Sequence, residues 1–99
     1  MNMQALMKQA QTMQKEIADI KTEIDSATFT GKSSLVTVNV KGTKEVIEVL
    51  ISSDAIDLKE DLEMLQDMIL VAINDAFKQI DTVTQQKMGK YSSMMNGMI

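Results

Sequence analysis

Ninety-nine residues with a net charge of −4 suffice for one modest domain, and a chain of that size buries a small core unless it oligomerises. It has no Cys, His, Arg or Trp, which removes disulfides and the usual nucleophiles, general bases and zinc ligands. The fourteen acids form no DxDxDG-like calcium loop, so neither an enzyme nor a bound cofactor or metal is expected, and with no apolar run of signal-peptide or membrane-spanning length the expected location is the cytoplasm.

Met3 to Ala27 reads as an amphipathic helix. Met3, Ala10, Ile17 and Ile24 fall seven apart, and so do Leu6, Met13, Ile20 and Ala27. Together they make an a/d stripe over almost four heptads. Lys8 and Lys15 lie opposite that stripe, two turns or about 10 Å apart along the axis. Gln4, Gln11 and Gln14 add donors around them. Such a face suits a phosphate backbone, and it equally suits plain solvent.

Thr28-Phe29-Thr30 favours a strand with Phe29 inward, and Gly31-Lys32-Ser33-Ser34 reads as a loop. It is too poor in Gly to cradle a phosphate, and no GxxxxGK[ST] run exists. Leu35 to Lys41 and Lys44 to Ser52 then form a hairpin around a two-residue Gly42-Thr43 turn. That turn pairs Val38 with Ile47 and Val36 with Val49. One face carries Val36, Val38, Val40, Ile47, Val49 and Ile51, and should pack on a helix. The other carries Leu35, Thr37, Asn39, Val46, Glu48 and Leu50, and should be open or lightly covered.

Asp57 to Met88 is the long helix of the chain. Asp57 is the expected N-cap, with Glu60 completing a capping-box-like pair. Gly89 is the expected stop, with Lys87 in the last turn. The helix has two apolar faces and a narrow polar strip, where an ordinary surface helix buries one face. One face can cover the sheet and the other needs a partner. Leu62, Leu65, Met68, Ile69, Ala72, Ile73 and Phe77 are therefore the expected homodimer seam. The predicted fold is α+β: an N-terminal helix, a three-stranded antiparallel sheet and a long C-terminal helix. One domain spans 1–90, and 91–99 is expected to be a flexible tail.

The charge is unevenly spread. Residues 1–15 carry +2, 16–44 carry 0, 45–75 carry −8 and 76–99 carry +2. Much of the acidic middle lies where acids suit the positive end of a helix dipole. Lys78, Lys87 and Lys90 supply the second basic end.

The run Leu6-Met7-Lys8-Gln9-Ala10-Gln11, followed by Met13-Gln14, resembles the opening of the YbaB/EbfC nucleoid-associated proteins. So do Leu62-Glu63-Met64-Leu65-Gln66-Asp67-Met68-Ile69-Leu70 and Ala72-Ile73-Asn74-Asp75-Ala76, and Met88-Gly89-Lys90 is similar to the family's closing motif. The resemblance implies a tweezer-like intertwined homodimer whose projecting helical ends bind DNA, with a role in nucleoid organisation or gene regulation. Lys8, Gln11, Lys15, Lys78, Lys87 and Lys90 are then the candidate contacts. With no Arg, bidentate reading of guanine is absent and phosphate contacts of low sequence specificity dominate. A second reading is a dimeric adaptor for replication or recombination proteins, docking through Leu35, Val46 and Leu50 without touching DNA. A third is a purely structural dimer.

Overall fold

The computed structural model describes residues 2–52, 54 and 57–91, apart from the Leu58 side chain. Helix α1 (Met3–Ser26) leads into strands β1 (Thr28–Ser33), β2 (Val36–Lys41) and β3 (Val46–Ile51). Helix α2 (Leu58–Met88) follows and runs straight into a 3-10 turn, Gly89–Tyr91. The strands form one antiparallel sheet in the order β1-β2-β3. The molecule is a rod of 71 × 20 × 17 Å.

The α1 heptad stripe is continuous in sequence but only half of it is used. Ile24 is buried, and Ile17 and Ile20 are half-buried. Met3, Leu6, Met7 and Ala10 are exposed. Near the end of the described residues, the Tyr91 hydroxyl, on the 3-10 turn after α2, donates to the Glu16 carboxylate of α1. Among the described residues, α1 amino-terminal to Met13 is exposed throughout. Its first turn is capped by Asn2, whose side-chain oxygen accepts from the Gln4 N–H at 3.0 Å.

The sheet differs from the expected hairpin in three respects. First, Gly31, Lys32 and Ser33 belong to β1, and the loop shrinks to a Ser34-Leu35 turn with Ser34 at φ 51°. A positive φ at the first of two turn positions matches the strand twist. Gly31 is in the strand because α2 presses on it: a Cβ there would overlap the Ala72 carbonyl and come 2.7 Å from the Ala76 nitrogen. Second, the β2–β3 connection is longer than two residues. The Lys44 N–H donates to the Lys41 carbonyl at 2.8 Å, and the Lys41 N–H to the Glu45 carbonyl at 2.9 Å. Lys44 takes the left-handed position at φ 71° that such a three-residue loop requires. Third, the register moves. Val36 pairs with Ile51, Val38 with Val49 and Val40 with Val46, which leaves Ile47 as the extra residue of a bulge. Val46 thus joins the face of Val40, and Ile47 loses the place expected for it.

Val36, Val38 and Val40 are fully buried under α2, each contributing roughly 1.5–3 kcal/mol. Leu65, Ala72, Ala76 and Ile80 meet them from the helix, and Ile24 closes the end. The helix lies across β1 and β2 but not β3. Val46, Val49 and Ile51 share the valines' face, yet remain 39%, 41% and 40% exposed.

Both ends of α2 also differ in detail. Asp57 is the N-cap and accepts from the Lys59 N–H at 3.0 Å. The reciprocal acceptor for the Asp57 N–H is Asp61, at 3.0 Å, rather than Glu60. At the other end Gly89 is right-handed (φ −56°, ψ −41°), so it continues the helix instead of stopping it. Of the tail expected over 91–99, Tyr91 is buried, and 92–99 lie outside the described residues.

Candidate nucleic-acid interface

The amino-terminal half of α1 places Lys8, Gln11 and Lys15 on its surface, all exposed. No acid precedes Glu16 in the chain. Helix geometry fixes the two lysines on one side, away from the apolar stripe. Neither has a salt-bridge partner among the described residues.

The end of α2 returns to α1 in the opposite direction. Lys87 forms an ion pair with Glu23, and four residues on, Tyr91 hydrogen-bonds Glu16. Glu16 and Glu23 are seven apart on α1, so two turns of α1 face the four-residue step from Lys87 to Tyr91. Lys90 stays outside these two contacts, with its ammonium 4.9 Å from the Tyr91 ring centroid. Hydrogen bonding to Tyr91, and then the charge of Tyr91, raise its pKa above the ordinary 10.5. It therefore carries a full positive charge at neutral pH.

Lys78 stands apart. It is exposed on α2 about 14 Å in axial rise behind Lys87, beside an open groove lined by Phe29, Asp75, Gln79, Thr82 and Val83. The six candidate contacts thus divide into three groups. Lys8, Gln11 and Lys15 stand exposed on the amino-terminal part of α1, Lys87 and Lys90 at the α1–α2 junction, and Lys78 on the body. Lys87 alone among the five lysines is paired with an acid among the described residues.

The residues expected at a dimer seam also divide. Leu65 and Ala72 are 7% and 0% exposed within one protomer and have almost no surface left for a partner. Met68, Ile69, Ile73 and Phe77 pack on the margin of the core and remain half-buried, and Leu62 is exposed. Leu62, Ile69, Ile73 and Phe77 follow one another at helical spacing on a single flank. The Lys44 ammonium, from the β2–β3 loop, sits 5.6 Å from the Phe77 ring centroid, so this flank faces the β3 side. There it adjoins the uncovered Val46, Val49 and Ile51. The sequence hid this uncovered apolar strip, because its alternation implied that α2 would cover the β3 valines too. Glu16, Glu23 and Tyr91 were equally hidden, since their spacings of seven and four fit any helix surface.

Among the described residues no group of carboxylates is arranged to hold a metal ion, and no helix is long and apolar enough to cross a membrane.

A model of the YbaB/EbfC DNA-binding family matches residues 1–95. A nucleoid-associated protein of Lactococcus lactis subsp. cremoris strain MG1363 is 49% identical over 94 residues, covering 93% of this chain and 94% of its own. The nucleoid-associated protein str1598 of Streptococcus thermophilus strain CNRZ 1066 is 41% identical over 97 residues, covering 96% and 97%. The crystal structure of the uncharacterized protein HP0035 from Helicobacter pylori matches with a TM-score of 0.67 at 25% identity, over 96% of this chain and 98% of that one.

Proposed function

The chain belongs to the YbaB/EbfC DNA-binding family, and on that premise we propose that it binds DNA as a homodimer, mainly through lysine–phosphate contacts, and acts in nucleoid organisation or gene regulation. The observation that carries this reading is the projecting half of α1, an exposed helix with Lys8, Gln11 and Lys15 and no acid before Glu16. A net charge of −4 does not oppose it, since the field at the helix tip depends on local charge. Lys78 and Lys90 extend the contact surface toward the body. The second copy covers the exposed apolar residues of β3 and the Leu62–Phe77 flank of α2, and its own α1 then projects as the second arm of the tweezers.

The testing measurement is an electrophoretic mobility shift across salt concentrations. Each phosphate contact releases counterions and lowers log K by about 0.9 per decade of salt, so four to six contacts per dimer give a slope of about −4 to −5. Replacing Lys8 and Lys15 together with Gln should weaken binding to every DNA sequence alike and flatten the slope. Lys59→Gln, in the acidic region, should change neither. No shift even at about 50 mM salt, where phosphate contacts are strong, would overturn the DNA reading. It would leave the reading as a dimeric adaptor for a replication or recombination protein, docking through the other face of the sheet, where Leu50 is exposed.

A further inference from the structure

We propose that the Glu23 carboxylate stands in for a phosphate: it holds Lys87 and so competes with nucleic acid for that ammonium. The proposal rests on the DNA-binding reading and goes beyond it by naming an acid that sets the affinity. Three features of the α1–α2 junction carry it.

The first is chemistry. Lys87 donates to one carboxylate oxygen of Glu23, which is the geometry that it would offer a phosphate oxygen. The second is access. The Lys87 and Glu23 side chains are 40% and 63% exposed, so a polyanion can reach the ammonium without opening the core. Exposed pairs of this kind are worth at most about a fivefold factor in an equilibrium constant. Exchange of one anion for another is therefore cheap. The third is placement. Lys87 lies between Lys78 on α2 and Lys90 on the 3-10 turn, and its partner helix carries Lys15 next to Glu16, which Tyr91 holds. A strand of phosphates following the free lysines of α1 toward the body passes this pair. The α1–α2 packing does not depend on it, because Ile24 is buried in the core and Tyr91 is buried and bonded to Glu16.

An acid in that position has two effects on DNA. It removes one lysine per protomer from the pool of free contacts, and it repels the backbone that approaches. Both effects limit affinity and keep binding readily reversible.

The experiment is a double-mutant cycle on the full chain: wild type, Glu23→Gln, Lys87→Gln and the double variant, titrated with duplex DNA at several salt concentrations. Glu23→Gln should tighten binding by about three- to tenfold at about 50 mM salt. It should also steepen the salt slope by up to about 1.8, for two lysines freed per dimer. Lys87→Gln alone should change affinity by less than about twofold, and adding it to Glu23→Gln should erase most of the gain. Asp19→Asn removes an equal charge from the exposed surface of α1 without freeing a lysine, and should give a smaller gain and no change of slope.

Unchanged affinity and slope in Glu23→Gln would overturn the proposal. So would an equal gain and slope change from Asp19→Asn, which would reduce the effect to general charge. Equal weakening by Glu23→Gln and Lys87→Gln would make the pair a structural clamp and overturn it as well. A wild type that binds no DNA fails the underlying reading instead, and the two failures are thus told apart.

Discussion

The Asp75 carboxylate accepts a hydrogen bond of 3.1 Å from the backbone N–H of Lys32. One turn along α2, the Gln79 amide donates to the Thr30 carbonyl at 2.8 Å. Both backbone groups lie on the outer edge of β1, where no strand follows. The helix therefore caps this edge with side chains, which removes an N–H and a carbonyl from the template that an open edge presents to other chains. No such cap protects β3 among the described residues. The two edges of the sheet are thus unlike, one capped by side chains of α2 and the other uncapped among the described residues.

Removing either cap should cost about 1 kcal/mol. Asp75→Ala and Gln79→Ala are the variants, and urea denaturation is the measurement. The two side chains also lie 3.4 Å apart as donor and acceptor, so the double variant should cost less than the sum of the singles. Costs below about 0.3 kcal/mol for both would mean that water replaces the caps without loss.

Dimerisation should depend on the β3 side. Val49→Lys places an ammonium in the middle of the proposed seam, where desolvating it costs several kcal/mol. In one protomer the site is 41% exposed, so the fold itself should survive. Analytical ultracentrifugation should find a wild-type dimer and a folded Val49→Lys monomer. A folded wild-type monomer at micromolar concentration would remove the dimer from this account.

Along α1 the cost of truncation should fall toward the amino terminus. Ile24→Ala, at a site 5% exposed, should lose roughly 2–5 kcal/mol. Ile17→Ala and Ile20→Ala should lose intermediate amounts. Leu6→Ala and Thr22→Ala should stay under about 0.5 kcal/mol. Equal losses at Ile24 and Leu6 would require the whole stripe to be covered in solution.

Lys44 combines a strained backbone with useful contacts. Its left-handed φ costs an ordinary residue about 1 kcal/mol, which Gly escapes. Its side chain repays part of that through Asp81 at 3.1 Å and the Phe77 ring. Lys44→Ala should therefore be worse than Lys44→Gly by about 1 kcal/mol in thermal or chemical unfolding. The reverse order would show that the loop relaxes when the side chain is cut back.

The order of elements was legible from periodicity, because α2 and β2 each bury residues at the spacing their geometry demands. The details that failed were those decided by contacts distant in sequence. Gly31 looked like a loop residue because only Ala72, forty-one positions on, explains why a strand needs Gly there. The β3 register slipped because the turn is set by Lys44 adopting a conformation associated with Gly. Asp61 displaced Glu60 as the cap partner, since either carboxylate is near enough in sequence to reach back. In the candidate interface, the exposure of Lys8, Gln11 and Lys15 followed from helix phase alone. The neutralisation of Lys87 did not, because Glu23 is sixty-four residues away. The helix that covers the sheet was legible, but phase could not tell which of its apolar flanks the sheet would occupy.

The gradient of burial along α1 also has a redox meaning. Met3 and Met7 are 70% and 60% exposed on the projecting helix, while Met88 is 6% exposed beside Ile24. Oxidation converts a soft thioether into a polar sulfoxide, and accessible sulfur reacts first. Peroxide would thus mark the arm before it reaches the junction. The added sulfoxide oxygens would sit on the helix that carries Lys8 and Lys15, while the valine core under α2 remains chemically untouched.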